Sequence, residues 1–177
     1  MTRVYMAGPD VFQSDARAIG AAKRAICARY GLIGCFPLDN EVPIGLGGAE
    51  LAGRIYAANL AMMQACDAII ANLTPFRGPN ADDGTAFELG WFAARGLPLM
   101  AYLNDPRLLV ERTPHRSGRD SEGQEVENFG WPLNLMLVAS VEASGGQVIV
   151  GDGYSDPRRD LRSFERCVIA LAARLGR

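Results

Sequence analysis

Apolar runs of strand length alternate along this chain with segments of helical periodicity, and that alternation restricts the fold more than any other feature. It is the pattern of a parallel sheet covered by helices on both faces. The first run is Val4 to Ala7, ended by the Gly8-Pro9 turn and followed by a helical segment from about Ser14 to Tyr30. A short second run near Leu32 to Phe36 stops at Pro37, and the loop from Leu38 to Gly48 leads into a second helix reaching about Ala65. Leu51, Ile55, Ala58 and Met62 form its apolar stripe. A third strand is expected within Asp67 to Thr74, a fourth at about Leu99 to Leu103 and a fifth at Gln147 to Val150, with an amphipathic helix over Leu161 to Leu175 closing the chain. Short, right-handed connections then give a doubly wound, five-stranded parallel sheet of flavodoxin-like or Rossmann-like type.

The length, 177 residues of which 49% are hydrophobic and 21% charged, suits one domain with a substantial core and is too short for two ordinary ones. A single domain over residues 1–177 is therefore expected. Within it, Asn104 to Gly130 is dense in charge, Gly and Pro and too polar to build core, which predicts a mobile loop or lid over 104–130. Trp131 to Met136 then opens a short helix.

Eighteen basic residues against twenty acidic ones leave a formal net charge of −2, so bulk electrostatics give no reason to expect a nucleic-acid or membrane partner. A small molecule is the default ligand. Cys27, Cys35, Cys66 and Cys167 stand singly, with no CxxC pair and no neighbouring histidine, and read as buried free thiols rather than metal ligands. The start of the chain has no apolar signal segment and no run approaches membrane-spanning length, so a cytoplasmic location is expected.

In a doubly wound sheet the ligand crevice lies beyond the carboxyl ends of the strands, where strand order reverses. That rule gathers Tyr5 and the Gly8-Pro9 turn, the Asp39-Asn40 loop, the loop from Phe76 to Asp83, and the helix start that follows it. The last of these, Asp82-Asp-Gly-Thr-Ala-Phe-Glu-Leu-Gly90, crowds three acids around a glycine turn. Glu88 is expected in the first turn of that helix, where the dipole and free backbone N–H groups favour an ionised carboxylate able to act as a nucleophile. Thr85-x-x-Glu88 equally fits a capping box, and Asp82 or Asp83 fits an N-cap or Asx-turn.

Other chemistries fit poorly. There is no GxxxxGK[ST] sequence, and Gly45-Leu-Gly-Gly48 follows a proline-containing loop rather than a strand, so neither a phosphate loop nor a dinucleotide fingerprint is present. The single histidine, His115, lies among Pro114 and Arg116 in the charged loop and reads as a solvated surface residue rather than a general base. Carboxylate chemistry remains, and paired carboxylates are the equipment for cleaving glycosidic bonds through an oxocarbenium-like transition state.

Five segments, in order, carry a resemblance: Val4-Tyr-Met-Ala-Gly-Pro9, Pro37-Leu-Asp-Asn40, Ala68-Ile-Ile-Ala-Asn-Leu-Thr-Pro-Phe-Arg-Gly-Pro79, Gly84-Thr-Ala-Phe-Glu-Leu-Gly90 and Pro132-Leu-Asn-Leu-Met136. Together, over about residues 3 to 150, the chain resembles the nucleoside 2-deoxyribosyltransferases. The resemblance implies transfer of a 2-deoxyribosyl group between nucleobases, with no cofactor and no metal, through a covalent glycosyl ester. By the same resemblance Glu88 is the nucleophile, Tyr5 holds its carboxylate, and Asp82 meets the nucleobase and protonates the leaving nitrogen. A core-packed tyrosine is the plainer reading of Tyr5.

Asn134, with Met136 beside it, matches the asparagine that reaches a sugar hydroxyl in a neighbouring subunit's site, so the resemblance implies a homo-oligomer; a helix N-cap is the plainer reading. Asn59 stands where some members carry a second base-contacting aspartate, and an amide cannot supply a proton. Gly8, Phe12, Phe76 and Arg77 are expected to line the substrate pocket, and Phe129 and Trp131 to close over it. Two alternatives share the fold: an N-glycosidase that passes the sugar of a nucleoside or nucleoside monophosphate to water, and a noncatalytic nucleotide-sensing domain.

Overall fold

The computed structural model describes residues 1–40, 45, 47–153 and 156–176. Its sheet comprises β1 (Arg3–Ala7), β2 (Ile33–Cys35), β3 (Ala68–Asn72), β4 (Leu99–Leu103) and β5 (Val148–Val150), all parallel, in the order β2-β1-β3-β4-β5. This is the flavodoxin-like order, with its reversal between β1 and β3. The helices are α1 (Ala16–Arg29), α2 (Gly48–Gln64), α3 (Asp83–Ala94), the single turn α4 (Leu109–Arg112), α5 (Leu135–Ala143) and α6 (Arg162–Arg174). Short 3₁₀ turns at Pro9–Phe12 and Pro37–Asp39 follow β1 and β2. The expected loop over Leu38 to Gly48 falls partly outside the described residues, at 41–44 and 46.

β3 and β4 are buried along their whole length, as strands covered on both faces must be, which is why they read as unbroken apolar runs. Successive side chains point to opposite faces, and two separate cores result. Val4, Met6, Ile70 and Tyr102 pack against Ile26 of α1 and Phe164, Val168 and Leu171 of α6. Tyr5, Ala7, Ile69 and Ala101 face the other way, onto Leu89 and Phe92 of α3 and Val138 and Val141 of α5. Tyr5 thus belongs to the face that α3 covers. All four cysteines are buried free thiols.

One expectation changes. The stripe assigned to α2 is not core: Met63 is the one fully buried residue of that helix, Met62 packs only partly on the core, and Ile55 is 42% exposed. Ile55 and Ala58 border a pocket instead. Within 104–130, Leu109 in α4 is buried and its N–H donates to the Trp131 carbonyl. Among the described residues no helix is long and apolar enough to cross a membrane.

Candidate active site

A cavity of about 500 Å³ opens at the carboxyl ends of β1 and β2, between the 3₁₀ turn of Pro9–Phe12, α2 and the start of α3. Gly8, Phe12, Asn59, Asp82 and Glu88 line it as expected. Arg17, Leu38, Asn40 and Thr85 also reach it; of these the strand-end rule pointed to the loop of Asn40 and the helix start that holds Thr85, while Arg17 lies within an ordinary-looking amphipathic helix that gave no signal.

Tyr5 lies beneath the cavity. Its ring is inaccessible to solvent and stacks on Phe92 at 5.9 Å, and its hydroxyl donates to Glu88 Oε1 at 2.6 Å. Burial, reinforced by the Glu88 carboxylate, drives the phenol well above its ordinary pKa, so it remains a donor at any physiological pH. The core packing and the hydrogen bond are one arrangement, because a phenol buried on this face has its oxygen at the floor of the cavity.

Glu88 is not in the first turn of its helix. α3 begins at Asp83, with Asp82 as the N-cap, so Glu88 is in the second turn and beyond the free N–H groups. No capping box forms between Thr85 and Glu88; instead Asp82 Oδ2 accepts from both the Thr85 N–H and the Thr85 hydroxyl at 2.9 Å. The electrostatics differ accordingly. Burial pushes the Glu88 carboxyl up from 4.5 to about 7, the Tyr5 hydroxyl opposes that rise, and the Asp82 carboxylate adds to it. Glu88 is held near neutrality between acid and base.

Asp82 and Asp83 separate cleanly. Asp82 borders the cavity beside Glu88, whereas Asp83 is exposed and borders only a shallower cleft formed by residues 76–83. Gly8 has φ 154°, and a Cβ there would come within 2.6 Å of both Asn72 Cβ and Asp10 Oδ2, so glycine alone lets the turn after β1 approach β3. Asn59 and Asn40 are linked, the Asn40 amide N–H donating to Asn59 Oδ1 at 3.0 Å.

The remaining expected site residues lie outside the cavity. Phe76 and Arg77 border adjoining clefts and meet the cavity only through Phe12: the Phe12 and Phe76 rings stack at 5.1 Å, and the Arg77 guanidinium lies over both. Asn134 caps α5, accepting from the Met136 N–H at 3.0 Å and donating to Glu127 Oε1 at 2.6 Å. Met136 is 69% exposed. Phe129 is exposed and Trp131 packs on the core edge, and neither borders the cavity. No group of three or more metal-ligating side chains occurs among the described residues.

The family model for nucleoside 2-deoxyribosyltransferases matches residues 4–136. An uncharacterised protein of Schizosaccharomyces pombe is 31% identical, over 98% of this chain and 90% of its own length. Among solved structures, a 2-deoxyribosyltransferase from Leishmania mexicana is 34% identical, covering 98% of both chains with a TM-score of 0.70. A CMP N-glycosidase of Clostridium botulinum shares the fold at 13% identity, with a TM-score of 0.50 over 93% of this chain and 99% of its own.

Proposed function

The chain belongs to the nucleoside 2-deoxyribosyltransferase family, and from that premise we propose that it moves a 2-deoxyribosyl group from one nucleobase to another by way of an ester on Glu88. The observation that carries this reading is the Tyr5–Glu88 hydrogen bond at the floor of the cavity. It occupies Oε1 and leaves Oε2 to meet an anomeric carbon, an orientation a solvated glutamate would not keep.

In the first half-reaction the Glu88 carboxylate forms a bond to the anomeric carbon as the bond to the base nitrogen breaks. Asp82 supplies the proton that lets the base leave neutral. In the second half-reaction an incoming base attacks the same carbon from the opposite side to Glu88, its N–H proton passes to Asp82, and the ester bond returns its electron pair to Glu88. Two displacements at one carbon retain its configuration. Phe12 offers a face for the base to stack on, with Phe76 and Arg77 holding that ring from behind, and Gly8 and Asn59 complete the contacts to the substrate.

Asn134 and Met136 are read as serving the site of a neighbouring copy, since neither borders the cavity of its own chain and Met136 is exposed. A homo-oligomer also accounts for the exposed aromatic groups Tyr56 and Phe87 on α2 and α3. Residues 104–130, with Phe129 near their end and Trp131 just after it, are read as the segment that limits water access to the ester.

Trapping tests this directly. Rapid denaturation during turnover of a 2-deoxynucleoside, followed by peptide mass spectrometry, is expected to find one deoxyribosyl unit on the peptide containing Glu88. Its attachment to another residue would overturn the assignment.

The ionisation of Glu88 and the placing of the two aspartates can each be checked. Because a protonated Glu88 cannot attack, the acid limb of the kcat/KM profile is expected to rise through a midpoint near 7. Tyr5→Phe removes the donor that holds this pKa down and is expected to move the midpoint to higher pH, with a lower plateau; an unmoved midpoint would show that the profile belongs to another group. Asp82→Asn keeps an N-cap for α3 and loses the proton, so kcat is expected to fall roughly 10²–10⁴-fold. Asp83→Asn is expected to stay within about threefold of the parent. A larger loss at Asp83 would reverse the two assignments.

A further inference from the structure

A second cleft, of about 360 Å³, lies where the loops after β1, β3 and β5 meet. Phe12 is the one residue it shares with the cavity above Tyr5. Strand order reverses between β1 and β3, and the crevice beyond that reversal is where a doubly wound sheet most readily holds a ligand. The transfer reading gives this second cleft no task.

Two guanidinium groups border it. Arg77 lies over the rings of Phe12 and Phe76, 5.2 and 4.6 Å from their centroids, and Arg158 comes from the loop after β5. Neither side chain donates a hydrogen bond to, or pairs with, a carboxylate among the described residues. Stacking occupies the face of the Arg77 guanidinium and leaves the N–H groups along its edge to meet an acceptor in its plane. Arg77 also has a left-handed backbone, φ 55°, which a residue with a side chain adopts only where its surroundings fix it. The rings and the backbone together set this guanidinium in advance of any ligand.

The single acid in the lining is already matched. Asp10 pairs with Lys23 at 2.6 Å and accepts from Asn72 with both oxygens. Asp156, just before Pro157, accepts from the Arg158 N–H at 3.0 Å and lies 3.7 Å from the Arg159 guanidinium. The lining of the cleft therefore carries net positive charge, and Gln13 adds a side-chain amide to it.

We propose that this cleft binds a phosphate group through Arg77 and Arg158, at a site distinct from the cavity that holds Glu88. A tetrahedral dianion has oxygens enough for the edge of one guanidinium and the N–H groups of another, and two positive charges match its own. The cavity suits such an anion poorly, because Asp82 and Glu88 border it. Free phosphate and the phosphate of a sugar share this chemistry.

Calorimetric titration at constant ionic strength, with inorganic phosphate and separately with ribose 5-phosphate, is expected to show saturable binding of one phosphate group per chain. The tighter of the two identifies the source as free anion or ester. Arg158 is exposed, so Arg158→Gln opens the cleft on one side without disturbing the cavity, and is expected to weaken binding about tenfold or more. Arg17→Gln removes a guanidinium from the cavity instead and is expected to leave the affinity within about twofold. Circular dichroism checks the fold of both variants. Saturable binding of neither compound, or equal affinity in the parent and a folded Arg158→Gln protein, overturns the proposal. A loss at Arg17→Gln as large as that at Arg158→Gln would put the anion in the cavity and overturn it as well. None of these outcomes depends on sugar transfer, so the cleft and the transfer reading stand or fall separately.

Discussion

Glu88→Ala is expected to lower base exchange by about 10⁴-fold or more while leaving the affinity for a 2-deoxynucleoside within a few-fold. The asymmetry follows from position. Glu88 is one of more than a dozen residues bordering the cavity, so the loss of its single side chain is expected to remove little binding energy. The covalent step of the proposed mechanism is expected to go with it, because Asp82, the other carboxylate bordering the cavity among the described residues, has its Oδ2 engaged by the Thr85 N–H and hydroxyl and is assigned to the base. Removing Glu88 also removes a part-buried carboxyl whose ionisation its surroundings disfavour, so the variant is expected to be folded. Exchange kinetics together with equilibrium binding check both halves. Residual exchange within tenfold of the parent would mean that another group carries the sugar.

The second large effect concerns stability. Lys23 is wholly buried, its ammonium 2.6 Å from Asp10 Oδ2 and over the rings of Tyr102 and Phe164. Asn72 Nδ2 donates to both oxygens of Asp10, and Asn72 Oδ1 accepts from the Thr74 N–H and hydroxyl. This buried network fastens the turn that carries Gly8 and Phe12 to β3. Lys23→Met keeps the apolar stem and strands the Asp10 carboxylate, and is expected to cost about 3–5 kcal/mol in denaturant unfolding. Adding Asp10→Leu is expected to restore most of that loss, because the penalty lies in the unpaired charge. A single-variant loss under about 1 kcal/mol would show that Asp10 finds other partners.

Legibility in the sequence followed the physics of each element. β3 and β4 read clearly because strands buried on both faces are continuous apolar runs. The strand-end rule then brought Tyr5, Gly8, Asn40 and Glu88 to one place without any contact being known. The boundary of α3 was misplaced because Thr85 and Glu88 carry the spacing of a capping box, while Asp82 three residues earlier took the N-cap.

Lys23 left no trace, since a lysine on a helix reads as solvated unless the carboxylate that buries it is known, and Asp10 lies in a turn thirteen residues away. The stripe of α2 misled for a related reason. Apolar periodicity reports that a face is covered, not what covers it, and Ile55 and Ala58 face the cavity. Phe76 and Arg77 were drawn toward the site by their loop, yet reach it only by supporting Phe12.

The most direct test of the account is to incubate the protein with a 2-deoxynucleoside and a different free base and to follow every species by chromatography. A new 2-deoxynucleoside built on the added base, forming faster than free 2-deoxyribose, is the predicted result. Free base and free sugar alone, at any concentration of the added base, would contradict it and identify water as the acceptor.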